Sequence, residues 1–412
     1  MKVGEKYVAY VLFALYLLYG LNNYFFERTL FFNEILSLGG FVVFVAKSHV
    51  RGFTFRIPSS RIYKLVLCLL LLSVFQLLVS ITLKTNWYFY FRNSVIMYSM
   101  FTFFTGFYFY DYFVQLLRHL RKAITLFLAF ALSYPMPVVL LDRFTASGFF
   151  PYLFRKSNRT AFIGILVLNV IYAFTYSSLT VTIITLVLVT IVVVRRYIYL
   201  KLLLGVAVAG ILIGFLFLAP YLKLYKTGPY SLFGNVELVA GQHWVLGLDG
   251  NTTWRAVLWY RLLAERFPEN LLGIGLGTPL IEYQPGVTTA DSEYEDEYNA
   301  HVFGLHNTYL TLTVRLGILY LLLTLLIYDK VFKEYYWCKN YYRRNNLYLV
   351  FWSFFAITSV GLFNLLLESP TVASLYWTTL GFVAKVIYHR HRLATGSAPA
   401  GTPSPASPYP VA

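Results

Sequence analysis

Residues 63–83 read YKLVLCLLLLSVFQLLVSITL. One charge, Lys64, stands at the start, and the remainder is uncharged and mostly apolar. A helix needs about 20 such residues to cross a bilayer's hydrocarbon core. Comparable stretches recur at 7–25, 29–46, 88–112, 123–142, 160–176, 178–194, 199–220, 306–328, 345–366 and 370–388. The fold expected is all-α: a polytopic integral membrane protein with about 11–12 transmembrane helices. It carries one long extramembrane loop, 221–305, that should contain short helices.

Composition agrees. The chain of 412 residues is 58% hydrophobic and 13% charged, with mean hydropathy +0.62. A soluble domain carries about twice that share of charge. Aromatic residues make up 19%, and many cluster at stretch ends, such as Tyr88–Phe91 and Tyr335–Trp337, as interfacial belts do. The net charge of +16 does not point to nucleic acid, because cytoplasmic loops of membrane proteins collect Lys and Arg. Cys68 lies in an apolar stretch and Cys338 in a basic loop, so no disulfide is expected, and no cleavable signal peptide is evident. The Pro/Ser/Ala-rich tail 393–412 should be disordered.

Charge also orients the chain. Segments 195–201 and 329–345 and the residues after the last span are basic and read as cytoplasmic. Loop 221–305 holds five cations against ten acids, a net of −5, and reads as lying outside. Loops 47–64 and 118–122 are basic too. Counting spans backwards from the long loop leaves one crossing missing. Either a weakly apolar crossing lies near 140–155 or the N-terminus lies outside, and the first option gives twelve spans.

Some chemistries find no support. No Walker loop, HExxH or CxxC pair occurs, and the GIGLG of 273–277 follows no evident strand, so nucleotide, metal and cofactor use are not expected. What remains is an ordered pattern. Asn251-Thr-Thr can cap a helix over 254–267. Arg255 and Arg266 fall on one face of that helix, and Arg261 elsewhere, four before Glu265. Pro268-Glu-Asn-Leu-Leu-Gly-Ile-Gly-Leu-Gly follows, then an acidic run, Asp291–Glu297, that reads as a solvated face. Last comes His306-Asn307-Thr308-Tyr309-Leu310, opening the span at 306–328. A His beside Asn307 and Tyr309 at a membrane boundary suits proton transfer, and an Arg fork suits phosphate. The plainer alternatives are a helix-end His and solvated Arg residues. Arg315, inside a span, is a candidate for function or for packing.

This order, over about 155–330, resembles the O-antigen ligase and O-antigen polymerase superfamily. The resemblance implies three parts: N-terminal transmembrane helices at 1–154, a ligase-like transmembrane domain at 155–392 with its periplasmic loop, and the tail. It implies an inverting, metal-independent glycosyltransferase of the bacterial inner membrane whose active loop faces the periplasm. Its partners would be an undecaprenyl-diphosphate-linked glycan donor, a glycan or lipid A-core acceptor, and the bilayer. His306 takes the place of the family's base and Arg255 that of its diphosphate contact. Arg261, Arg266, Asn307 and Tyr309 are implied substrate contacts. Family ligases commonly carry a Ser-Arg pair where the span at 178–194 begins; this chain has Ser177-Ser178. The second diphosphate cation then comes from elsewhere, with Arg266 the candidate, or is absent. A polymerase of the same superfamily is the first alternative, and a lipid-linked oligosaccharide flippase the second.

Overall fold

A computed structural model of the chain describes residues 4–12, 14–15, 32–50, 54–55, 57–83, 86–116, 190, 196–203, 205–206, 210, 235–240, 243–249, 259, 262, 271–280, 307–345, 347–362 and 366–394. Helices dominate. In chain order they are α1 (Phe32–Ser48), α2 (Arg61–Thr82), α3 (Trp87–Asn93), α4 (102–116), α5 (Thr308–Leu316), α6 (Ile318–Trp337), α7 (Lys339–Arg344), α8 (Tyr348–Val360) and α9 (Pro370–Ala394). A further helical segment lies within 4–15.

Among the described residues, α2 alone is both long and apolar enough to cross a bilayer. Its 22 residues match the stretch at 63–83. Ser60 caps it, accepting a hydrogen bond from the Tyr63 amide. Its polarity is inverted relative to a soluble helix. Ser73, Gln76 and Ser80 are buried, while Leu71, Phe75 and Leu78 are 71%, 58% and 60% exposed. Exposed Leu319, Leu322, Leu325 and Leu326 give α6 a similar outer stripe.

One expectation is corrected and three are refined. The span at 306–328 is two helices, because Gly317 adopts φ 90° between α5 and α6. The span at 88–112 keeps a right-handed helical backbone but tightens midway: α3 ends at Asn93, and Val95–Tyr98 and a 3₁₀ turn, Ser99–Phe101, precede α4. The span at 345–366 stops helical structure at Val360. The long loop, expected to hold short helices, is helical at Trp259 and Leu262 and also contains an antiparallel ribbon, β3 (Asn235–Ala240) with β4 (His243–Asp249). Alternation in Asn-Val-Glu-Leu-Val-Ala suits a strand, and a register shift at Leu238/Val239 marks a bulge. A smaller ribbon pairs β1 (His49–Val50) with β2 (Thr54–Phe55). The spans at 123–142, 160–176 and, apart from helical Thr190, 178–194 lie outside the described residues, as do the acidic run and the tail beyond its first two residues, which end α9.

The core is aromatic. Tyr63 meets Phe103, Phe104 and Phe107 edge-on, and Tyr335, Phe351, Phe355 and Trp377 fill the other half. Helices α4 and α9 touch at glycines, where a Cβ on Gly381 would stand 2.3 Å from the Phe103 carbonyl oxygen. Such close helix contact through small residues is common where no hydrophobic effect drives packing.

Polar pairs gather at two ends. At one end, Glu5 pairs with Lys47, His389 lies by Asp111, Arg390 pairs with Glu334, and Asp329 takes Lys201. Tyr197 also donates to Asp329, at 2.5 Å. At the other end stand Gln76, Ser80, Asn93, Thr308 and Glu368, around a loop that is the candidate site.

Candidate functional site

Residues 271–280, LLGIGLGTPL, contain the glycine run, and their backbone is not helical. Unpaired backbone polar groups are costly when buried, so each needs a partner. Side chains from distant helices supply many. Gln76 Nε2 donates to Leu272 O at 2.7 Å and to Leu316 O at 3.2 Å. Asn93 Nδ2 donates to Leu276 O at 2.7 Å, and the Leu276 amide donates to Ser80 Oγ at 3.1 Å. Backbone groups supply others: the Ile274 amide reaches Val314 O, the Gly275 amide Arg315 O, and the Ile318 amide Leu271 O.

Glycine makes this approach possible. Gly273 and Gly275 have φ of 92° and 84°, and Gly317 has 90°. A Cβ on Gly273 would lie 2.4 Å from Arg315 O, and one on Gly317 2.7 Å from the Leu272 carbonyl carbon. Main chain therefore packs on main chain, and both positions need the left-handed region that glycine occupies freely.

Arg315 is 2% exposed. Its Nη1 donates to the carbonyls of Gly275 (3.3 Å), Leu276 (3.2 Å) and Thr278 (3.0 Å). The packing alternative for this residue is thus the one its geometry fits: the guanidinium gathers the loop's carbonyls. Arg92 and Glu368 lie within electrostatic reach of it.

The start of α5 is built by side chains. Asn307 Oδ1 accepts from the Leu310 amide at 3.1 Å, capping the helix. Thr308 Oγ1 donates to Glu368 Oε2 at 2.6 Å and accepts from the Leu366 amide at 2.8 Å. Burial pushes the Glu368 carboxyl up from its usual range; hydrogen bonds from Thr308 and Thr311 and the Arg315 charge pull it part of the way back. Tyr309 turns inward. Its hydroxyl donates to Thr358 O at 2.8 Å and lies 3.3 Å from the Tyr328 hydroxyl.

A small apolar cluster joins the parts of the sequence pattern. Leu262, from the 254–267 region, packs with Ile274 and Leu280 of the glycine loop and Val314 of α5, with Trp259 and Leu310 at its edge. Both Trp259 and Leu262 are helical, as the pattern predicts. His306, Arg255, Arg261 and Arg266 lie outside the described residues, as does Ser177-Ser178. Among the described residues no cluster of His, Cys, Asp and Glu is arranged to hold a metal.

Sequence reasoning did not single out Gln76, Ser80, Asn93 or Glu368. The signal available for the first three was a polar residue on an otherwise apolar stretch, which must find a partner inside the protein. No family model, no curated protein and no solved structure matches this chain.

Proposed function

We propose that the chain is a polytopic membrane enzyme that transfers a glycan from a lipid carrier. In particular we read it as an O-antigen ligase-like or polymerase-like glycosyltransferase, moving a glycan from undecaprenyl diphosphate to an acceptor hydroxyl. The carrying observation is the apolar cluster of Leu262, Ile274, Leu280 and Val314. It supports reading the Arg-bearing helix, the glycine run and the His306 element as one unit rather than three coincidences. The inverted polarity of α2 supports the membrane setting. The Glu5–Lys47 pair, at the end that gathers Asp329 and Glu334, favours a cytoplasmic N-terminus and hence the twelve-span count.

In this reading the reaction is a direct displacement at the anomeric carbon. His306 takes the acceptor hydroxyl proton while the acceptor oxygen bonds to carbon. The bond from carbon to the diphosphate oxygen breaks with its electron pair leaving on the diphosphate, which Arg255 steadies. Capping by Asn307 and the Thr308–Glu368 bond fix the start of α5, next to the base. Replacing His306 or Arg255 by Ala, in a host lacking its own enzyme, should abolish surface glycan transfer at unchanged protein level. Normal transfer in both variants defeats the mechanism. Single repeat units left on the surface indicate a polymerase, and long chains stranded on the carrier a ligase.

A further inference from the structure

We propose that the end of α6 and the adjoining α7 form a binding surface for an anionic phospholipid; this rests on the membrane setting proposed above. Residues 333–344 carry Lys333, Lys339, Arg343 and Arg344. The acids at this end already face cations. Glu5 and Asp111 lie against Lys47 and His389. Asp329 takes Lys201, Lys330 and the Tyr197 hydroxyl, and Glu334 takes Arg390, His391 and the Tyr342 hydroxyl. Arg343 and Arg344 are exposed and make no ion pair among the described residues. The surface they form is held in place. Tyr342 is buried, with its hydroxyl on Glu334 at 2.9 Å and its ring 4.5 Å from that of Phe351, so α7 is pinned at its middle to α6 and α8. Lys333 lies over the Trp337 ring at 4.6 Å and Lys339 over the Tyr336 ring at 5.4 Å.

The rest of α6 says what this surface takes. Lys333 and Trp337 stand close to whole numbers of turns beyond Leu319, so they continue the face that exposes Leu319, Leu322 and Leu326. From Leu319 to Lys333 is about 21 Å at 1.5 Å per residue. That is the depth of one leaflet with its headgroups, about 20–22 Å. An apolar strip of this length, ending in cations and an exposed Trp, has the outline of a lipid. Acyl chains lie against leucine, the indole at headgroup level and the phosphate against the cations. A nucleic acid or an acidic protein would use the cations and leave the strip unused. A zwitterionic lipid would use the strip but bring its own cation against Arg343 and Arg344.

The test uses the full chain in neutral detergent, titrated with phosphatidylglycerol or with phosphatidylcholine of the same acyl chains, and bound lipid is counted by native mass spectrometry. The wild type should hold phosphatidylglycerol at least about tenfold more tightly, since each cation near an anionic headgroup contributes about fivefold. Arg343→Gln combined with Arg344→Gln should keep less than about a threefold preference. Its unchanged binding of phosphatidylcholine shows that it is folded. Arg61→Gln combined with Lys64→Gln removes the same charge from the exposed start of α2 and should keep the wild-type preference. Equal losses in the two double variants assign the preference to overall charge and overturn this surface. A wild type without preference overturns it too, and leaves the transfer function standing. A chain that binds neither lipid and stays dispersed without detergent defeats the membrane setting, and this surface with it.

Discussion

Replacing Arg315 by Met should loosen the glycine loop by an amount the geometry allows to be worked out. The Nη1 atom serves three carbonyls. One of them, Leu276 O, keeps a donor in Asn93 at 2.7 Å. The carbonyls of Gly275 and Thr278 lose theirs. Two buried acceptors left unsatisfied cost roughly 1–3 kcal/mol each, or about 2–6 kcal/mol together. Two further effects oppose one another. Met removes a charge that was costly to bury, and it takes a nearby cation from the Glu368 carboxylate. The expected loss is therefore about 2–4 kcal/mol. Thermal unfolding in detergent, followed by tryptophan fluorescence, to which buried Trp352 and Trp377 contribute, should show a Tm lower by about 2–5 °C. Proteolysis within 271–280 should rise in parallel. Arg315→Lys keeps the charge but loses the planar fork, and should fall between the two. A Tm for Arg315→Met within about 1 °C of wild type, with no new cleavage, would refute the carbonyl clamp.

Other perturbations follow from the same structure. Gly381→Ala places a methyl 2.3 Å from Phe103 O and 2.7 Å from the Phe107 amide nitrogen, forcing α4 from α9. It should cost about 3 kcal/mol and lower the monodisperse fraction in gel filtration, whereas Gly4→Ala, with nothing within 4 Å, should change neither. Gly273→Ala combines a φ of 92° with a clash against Arg315 O and should be no better tolerated, read by the same measurements. Burial would raise the Asp329 carboxyl, but bonds from Lys201 and Tyr197 and nearby cationic charge outweigh it and hold the group below its usual range. A depressed carboxyl contributes stability above its unfolded pKa of about 3.9 and loses it as pH falls through the folded value. The Tm gap between wild type and Asp329→Asn should accordingly be constant from about pH 5 upward and narrow below about pH 4. A gap that widens on acidification contradicts the pairing.

Hydropathy located α1, α2 and α9 because each is a run of apolar residues with its own start and stop, such as Ser60 before α2. It missed the breaks for a physical reason. Thr308–Leu316 and Ile318–Trp337 read as one stretch, since apolar content passes through Gly317 unbroken. The break is imposed by Leu271 and Leu272, whose carbonyl groups crowd the space a Cβ would need. The same distance in sequence hid the role of Arg315, whose acceptors lie 37 to 40 residues upstream. Pattern did place Trp259 and Leu262 on a helix, because apolar spacing at 3.6 residues is a local property. Which of its neighbours they meet, Ile274 and Val314, is not local and needed the fold. Glu368 stood in the sequence as one acid between two apolar stretches, with nothing nearby to mark Thr308 as its partner.

The bonds from Gln76 to Leu272 and Leu316 bear on how the chain is made. They join residues 196 and 240 positions apart. Synthesis proceeds at about 5–20 residues per second, so the Gln76 amide waits roughly 10–40 s for its first acceptor. Ser80 waits equally long for the Leu276 amide, 196 residues later. Throughout that interval α2 carries unsatisfied polar groups on the face it will finally bury. In the membrane setting proposed above, its insertion would call for a temporary occupant of that face, whether a membrane chaperone, water in the insertion channel or a neighbouring nascent helix. The loop that completes the candidate site is also what relieves the first helices of their guardian.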